Sequence, residues 1–407
     1  MSLEWKTQKL GEVCELLKRG IAPKYTDSGG VCVINQKCIR DHSINLEFSR
    51  RHNIDIKSVN PERYIHAGDV LVNSTGTGTL GRVAQVRFEP DETTTVDTHV
   101  TIVRPIPELF YSDFFGYMLI KIEDEITSSG EGASGQTELA RTTLESKFDV
   151  SFPVSIEEQQ RIVSILDEAF KSIDQAIANT EKNLANAREL FESYLNNAFT
   201  QKGEGWVEKQ LGEVCSFQGG SQPPKSTFLY EPSDDSVRLI QIRDYKSDKH
   251  VVYIPKAKAR RFCSTDDVMI GRYGPPLFQI LRGIEGAYNV ALMKADANTD
   301  FISKDYLYYF LKNNSILRYI IYSSSRAAGQ IGLNKATIEP YPILFPVKKE
   351  EQVRIVNRLE DIIDNVERLE STYNHKLASL TELKQSILQK AFSGELTAED
   401  IKQQVNG

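Results

Sequence analysis

The chain repeats itself. The run Lys9-Leu10-Gly11-Glu12-Val13-Cys14 returns as Gln210-Leu211-Gly212-Glu213-Val214-Cys215, an offset of 201 residues, and Gly135-Gln136 returns as Gly329-Gln330. From Phe152 onward the offset settles at 193: Phe152-Pro153-Val154 matches Phe345-Pro346-Val347, EQQRIV at 158–163 matches EQVRIV at 351–356, and Ala198-Phe199 matches Ala391-Phe392. A repeat of roughly 195 residues can bury its own core, so a chain of 407 residues has to fold as two similar units in tandem.

Each copy reads in two parts. Its first three quarters carry short β-branched and aromatic runs broken by Gly, Pro and Asp, such as Asp69-Val70-Leu71-Val72-Asn73 and Asp267-Val268-Met269-Ile270, the pattern of a mixed domain with several strands. A helical stretch at 114–121, repeated at 306–312, precedes a Gly/Ser-rich loop in both copies. The last quarter lacks Pro and Gly from 157 to 200, and apolar residues recur at Ile162, Leu166, Ile173 and Leu184, then in the second copy at Ile355, Leu359, Ile362, Val366, Leu369 and Leu377. These stripes predict two long amphipathic helices. The full stripes, from Ile162 to Ala198 and from Ile355 to Ala391, take ten steps over 36 residues in each copy, between the periods that give left- and right-handed supercoils, so a nearly straight pair is expected. At ~1.5 Å per residue each helix is about 65 Å long, more than a domain core needs. Matching stripes favour a second helix folded back along the first, an antiparallel coiled coil with a pseudo-twofold axis, over two helices packed separately on their own domains. The expected fold is α+β, with mixed α/β domains at 1–155 and 204–348, long helices at 156–203 and 349–397, and a polar tail at 398–407.

Catalytic signals are missing. Gly76-Thr77-Gly78-Thr79-Leu80-Gly81 has the dinucleotide-binding spacing, but Arg82-Val83-Ala84-Gln85-Val86-Arg87-Phe88 alternates like a strand where a phosphate-facing helix is required. A Gly/Thr-rich hairpin that brings backbone close to a ligand fits better. No Walker A run, nucleophile elbow or H-E-x-x-H is present, and Gly274-Pro275-Pro276 lacks the Asn or Asp of an amino-methyltransferase motif. Five scattered cysteines and six scattered histidines suggest reduced, structural thiols and no metal site. The N-terminus lacks a signal-peptide core and no apolar run is long enough to span a bilayer, so a soluble cytoplasmic protein is expected, without membrane partners.

Net charge is −7, unevenly spread: −5 over 1–156, −4 over 157–206, +6 over 207–349 and −4 over 350–407. Global basicity is therefore not the means of any nucleic-acid binding, and only the second domain is basic.

The duplicated Trp…Lys-x-Leu-Gly-Glu-Val entry, the Phe-Pro-Val…Glu-Gln-x-Arg-Ile-Val-x-x-Leu entry to each long helix (152–166 and 345–359) and the ending Ile387-Leu388-Gln389-Lys390-Ala391-Phe392-Ser393-Gly394-Glu395-Leu396-Thr397 resemble the specificity subunit of a type I restriction-modification system across essentially the whole chain. The resemblance implies two target recognition domains, each reading half of a bipartite site in double-stranded DNA. It implies a helix pair that acts as a ruler and docks two methyltransferase subunits, with restriction subunits joining as nuclease and translocase. S-adenosylmethionine, ATP and Mg²⁺ would then belong to partner subunits, with no cofactor on this non-catalytic chain. A coiled-coil adaptor with two protein-binding domains is the main competing reading, and a self-sufficient methyltransferase lacks its cofactor motif.

Candidate DNA contacts are the polar and basic loop residues. In the first domain they are Lys18, Arg19, Gln36, Lys37, Arg40, Thr77, Arg82, Ser134 and Gln136. In the second they are Gln218, Gln241, Arg243, Arg272, Tyr273, Arg326 and Gln330. Arg and Lys neutralise phosphate or bind guanine edges, and Gln suits adenine edges. The shared Arg-Asp pairs, Arg40-Asp41 and Arg243-Asp244, have a plainer reading in which Asp simply holds Arg by a charge-assisted pair.

Overall fold

A computed structural model describes residues 4–130, 137–200, 203–325 and 332–395. The chain divides into one unit of Met1–Thr180 with His375–Gly407 and another of Glu181–Asn374. Both boundaries fall inside the long helices.

In the first unit an antiparallel sheet runs in the order Cys14–Arg19, Val100–Pro105, Val70–Asn73, Val83–Gln85. A second sheet runs Thr94–Val96, Val31–Ile34, Arg50–His52, Tyr25–Thr26, with its first two strands parallel. Successive side chains on a strand face opposite ways, which makes the first sheet a middle layer. Leu16, Leu71, Ala84 and Ile102 pack with Ile34 and Val96 of the second sheet. Leu17, Val70, Val72, Val83 and Val103 pack with Phe114, Phe115 and Leu166 on the helical side.

The second unit repeats this design with different residues. Its middle sheet runs Cys215–Gly219, Leu292–Ala297, Val268–Gly271, Gln279–Leu281, and its other sheet runs Tyr253–Pro255, Ser236–Ile240, Gly286–Tyr288, Phe262–Cys263. Met269 and Leu292 pack with Ile240 and Tyr288, whereas Phe217, Val268, Ile270 and Met293 pack with Tyr306 and Leu359.

The repeated sequence runs explain themselves locally. Trp5–Lys9 pairs with Asp149–Pro153, and Trp206–Gln210 with Pro342–Pro346. In the turn that follows, Leu10, Val13, Leu211 and Val214 are fully buried, and Glu12 and Glu213 accept the backbone N–H of Lys9 and Gln210. Gly11 is needed for close approach, because a Cβ there would lie 2.9 Å from the Glu145 carbonyl oxygen.

The long helices span Ile156–Ala198 and Lys349–Ser393. Ser155 caps the first by accepting the Glu158 N–H at 3.2 Å. The second ends at Ser393, short of the expected 397, because Gly394 takes a positive φ of 78° and terminates it. Within each unit the helix segments run antiparallel. In the first unit Lys384 pairs with Asp174 at 2.8 Å, while Gly394 lies against Trp5, whose strand pairs with the residues just before the first helix. In the second, Arg188 pairs with Glu370 at 2.6 Å and Arg358 stacks on Tyr194.

Burial along the stripes is uneven. Ile162, Leu166 and Ile173 are buried in the first unit's core beside Ile387 and Phe392, and Leu359 is buried in the second beside Leu195 and Phe199, with Ile355 packed at its edge. Leu184, Ile362, Val366 and Leu377 are only half-buried, and Leu369 is 43% exposed. The helix ends are covered by a domain as well as by the other helix. Away from the domains a helix has one neighbour, and most of its stripe residues are only half-covered, although Thr180 is buried. Contacts divide each long helix between the two units.

One polar side chain is completely buried at each helix entry. Gln159 donates Nε2 to the carbonyls of Leu109 and Pro153 at 3.0 and 2.9 Å and accepts the Tyr111 N–H at 2.8 Å. Gln352 repeats this on Phe301, Pro346 and Ser303 at 2.8, 2.9 and 2.9 Å. Each glutamine thus ties the long helix to the strand before it and to the segment that leads into the short domain helix. Gln159→Leu leaves one N–H and two carbonyls without partners, at a cost of about 3 kcal/mol. Urea unfolding followed by hydrogen exchange is expected to show this loss in peptides of the first unit, and Gln352→Leu in those of the second. Unchanged protection in both variants would refute the role.

Candidate nucleic-acid interface

In the first unit the glycine-rich run is a hairpin. It joins strands Val70–Asn73 and Val83–Gln85, with Gly76, Gly78 and Gly81 all at positive φ, so no helix follows and no phosphate cradle forms. Gly76 is required: at φ 108°, a Cβ would meet Thr79 Oγ1 at 2.4 Å and Gln36 Oε1 at 2.5 Å. Gln36 accepts from Thr79 at 3.3 Å and its carbonyl accepts from Asn73 at 3.1 Å, so the 35–37 turn is joined to the hairpin. On its other side the Leu139 N–H donates to the Ser74 carbonyl, and Thr75 bridges Glu138. Behind it Thr75 shares a 2.6 Å hydrogen bond with the His99 ring, and the His99 backbone N–H donates to Asp97; burial pushes the Asp97 carboxyl up against that hydrogen bond.

Among the expected contacts, Arg19, Gln36, Lys37, Thr77 and Arg82 therefore belong to one loop cluster. Lys37 and Thr77 are exposed, whereas Arg82 donates to the Gly78 carbonyl at 2.9 Å and stiffens the hairpin. Arg19 is a framework residue: it donates to Glu138 at 2.6 Å and to the Leu139 carbonyl at 2.7 Å. Lys18 faces away from Arg19 by strand alternation and pairs with Glu62 at 2.8 Å, so it is removed from the cluster. Arg40 lies on the separate hairpin Ile39–Arg40/Ser43–Ile44, where its 3.5 Å pair with Asp41 is exposed on both sides. Ser134 and Gln136 lie outside the described residues.

The second unit builds its counterpart differently. Arg272 donates Nε to the Leu333 carbonyl at 2.9 Å and Nη1 to the Val290 carbonyl at 3.2 Å. The role of Arg19 toward Leu139 is thus taken, at the matching Leu333, by an arginine from a different strand. Arg272 is a pin, and Tyr273 stands half open against Gly332. Gln218 accepts the Tyr288 hydroxyl on both its carbonyl and its side chain, at 3.2 and 3.3 Å, and burial pushes that phenol up to about 12. Gln241 Nε2 has no partner among the described residues, and Arg243 is exposed with only a 3.5 Å contact to the His250 carbonyl. Asp244 does not hold Arg243: it turns inward to accept the Gln241 N–H at 3.0 Å, which overturns the plainer reading of that pair. Gln241 and Arg243 border a shallow cleft of about 760 Å³ with Lys225, Phe228 and Tyr230. Arg326 and Gln330 lie outside the described residues.

Sequence reasoning passed over the densest charge. Between 241 and 261 stand seven Lys and Arg against two Asp, and Arg243, Lys246, Lys249, Lys256, Lys258, Arg260 and Arg261 are all exposed. The basic balance of 207–349 was the available signal.

Behind the second hairpin, buried Asp267 at the start of strand Val268–Gly271 accepts from Lys304 at 2.7 Å, the Ser264 N–H at 3.0 Å and Lys294 at 3.2 Å. Burial alone would push its carboxyl up, but those three donors outweigh burial and hold it well below the usual carboxylate range. Its stabilising effect is complete above about pH 4, the unfolded value, and fades as pH falls through the lower folded value. Thermal melts from pH 6 to pH 2 are expected to show Asp267→Asn less stable at pH 6 and with a shallower loss in acid. Parallel acid profiles would remove Asp267 as the cause.

A family model, type I restriction modification DNA specificity domain, matches residues 2–185 and 203–378. The StySPI specificity subunit of a type I restriction enzyme from Salmonella potsdam is 36% identical over 280 residues, covering 62% of this chain and 59% of that protein. The EcoKI specificity subunit from Escherichia coli K12 is 33% identical over 112 residues, 28% of this chain and 24% of that protein. The chain thus aligns with less than two thirds of either relative. In fold, it superposes with a TM-score of 0.77 on a chain from a study of assembly and conformational transition in the type I R-M system, at 21% identity over 97% of this chain and 100% of that one. It superposes with 0.58 on the HsdS subunit from Thermoanaerobacter tengcongensis, at 21% identity over 96% and 97%.

Proposed function

Because the chain belongs to the type I restriction modification DNA specificity family, matched once on each of its two copies, we propose that it is the non-catalytic, sequence-reading subunit of such a system. Each unit reads one half of a bipartite site in double-stranded DNA. The observation that carries this reading is the pair of loop clusters: the Gly76–Gly81 hairpin with Gln36 and Lys37, and the Gln241, Arg243 and Tyr273 surface with its run of exposed cations. Amide and guanidinium groups suit base edges, and exposed cations suit phosphates. The two clusters differ almost completely in sequence, so the half-sites differ. Two methyltransferase subunits and the restriction subunits, nuclease and translocase, are the partners, and they would hold S-adenosylmethionine, ATP and Mg²⁺. No described helix is long and apolar enough to cross a membrane, and the proposed DNA-reading role fits a cytoplasmic location.

Mapping adenine methylation across the genome, with and without this gene, tests the assignment. Loss of one gapped, two-part motif is expected, and exchange of the first unit's recognition part should then change one half of it. Survival of every methylated motif would promote the adaptor reading. The helices, which carry the chain from one unit to the other, are proposed to set the gap. Four residues added to both, about 6 Å of helix, should widen the unread gap by ~1–2 base pairs at ~3.4 Å each. An unchanged gap would sink the ruler.

A further inference from the structure

One partly exposed constellation recurs in both copies although the hairpins around it have diverged. In the first unit Arg87, just past the return strand Val83–Gln85, stacks 4.9 Å from the Tyr117 ring centroid, with Asp113 at 3.7 Å and Asp167 at 3.9 Å. The Tyr117 hydroxyl donates to Asp167, on the first long helix, at 2.5 Å. In the second unit Arg282 follows the return strand Gln279–Leu281. It lies 2.8 Å from Asp305 and 3.9 Å from Glu360 of the second long helix, over the rings of Tyr308 and Tyr309 at 4.0 and 5.8 Å. The Tyr309 hydroxyl donates to Glu360 at 3.3 Å. The pairs Asp113/Asp305, Tyr117/Tyr309 and Asp167/Glu360 hold matching places in the repeat, at offsets of 192, 192 and 193.

We propose that these Arg–Tyr–carboxylate clusters are positioning devices: each fixes the return strand of its hairpin on a long helix, and so fixes where that unit presents its half-site contacts along the helix. Three features separate this from general stability. The clusters stand partly open to water, with Arg87 and Arg282 side chains 45% and 30% exposed, and such pairs contribute little to global stability. Their geometry is nevertheless restrictive, since a planar guanidinium must meet a ring face and two carboxylates together. The hydroxyl direction is also fixed: burial first, and then the acidic neighbour, push Tyr117 and Tyr309 each up to about 12, so each phenol stays protonated and donates. The hairpin itself differs freely between copies, as it must to read different bases, while the tie behind it does not.

The inference rests on the DNA-reading assignment and is tested in the source cell. A plasmid library carries the methylated motif with its gap varied one base pair at a time, and methylation is mapped in cells expressing each variant of the full chain. Arg87→Leu and Arg282→Leu are expected to lower the preference for the native gap over its neighbours about tenfold, the scale of one lost base contact, while the bases read in each half stay the same. Tyr117→Phe and Tyr309→Phe, which remove one hydroxyl and keep the ring, should move the profile the same way by less, and Arg87→Lys should recover part of it. An unchanged gap profile in the Leu variants, or a loss spread equally over all gaps, overturns the positioning role. So does a Leu variant that is lost from the cell while its Phe counterpart keeps the native profile. A wild-type chain with no gapped motif would instead fail the DNA-reading assignment itself.

Discussion

Everything in each unit hangs from one buried glutamine. Gln159 and Gln352 sit where strand, short helix and long helix meet, and each satisfies three backbone groups that would otherwise be buried without partners. Backbone polar groups in such a junction cannot reach water, so something must supply one acceptor and two donors in a fixed geometry. Among neutral side chains only a primary amide offers two donors together with an acceptor. The direction in which the long helix leaves the domain follows from that tie, and the apolar packing of Leu166 and Leu359 then fills the space it defines.

The middle sheet does the second part of the work. Its central strands Val70–Asn73 and Val268–Gly271 are buried on both faces, one against helices and one against the other sheet, which leaves the strand ends as the places where side chains can vary without disturbing a core. The hairpins at 74–82 and 272–278 lie at such ends. In the first copy glycines at positive φ and the Gln36–Thr79 contact shape the loop. In the second, Arg272 is held by two carbonyls and Tyr273 lies on Gly332. One scaffold thus carries two unrelated loop chemistries, as expected of a duplicated reader whose copies face different bases.

The duplication, the two long helices and the strand character of Val83–Gln85 were legible in the sequence, because each rests on periodicity or self-similarity, which are local properties. What lay beyond reach was partnership. The stripe through Leu184 and Leu369 gives a helix face but not what covers it, so positions buried by a domain and positions left half open look alike. Lys18 and Arg19 are neighbours in sequence, yet the pleat sends one to Glu62 and the other to Leu139. Asp244 beside Arg243 invited a pairing that burial forbids, since the turn Ile242–Tyr245 points the carboxylate inward. The matched Gln159 and Gln352 were visible as repeated letters. They stood out in hindsight as polar residues kept identical beside an apolar stripe.

Pairing also changes what the net charges mean. The first unit's recognition part is acidic, but more of its cations are also engaged than its sum suggests. Lys18, Arg19, Arg51 and Arg104 each lie within 2.6–2.8 Å of a carboxylate, at Glu62, Glu138, Glu92 and Asp69. A cation neutralised in this way attracts phosphate weakly, because its charge is already answered at short range. In the second unit Lys246, Lys258 and Arg260 are exposed with no ion pair among the described residues. The two halves therefore differ in kind. On the proposed reading, the second grips the duplex through phosphates and the first contributes through hydrogen bonds and close backbone approach at its glycine hairpin. Such a division lets one basic half hold the DNA while an acidic half samples sequence without being trapped on every phosphate it meets.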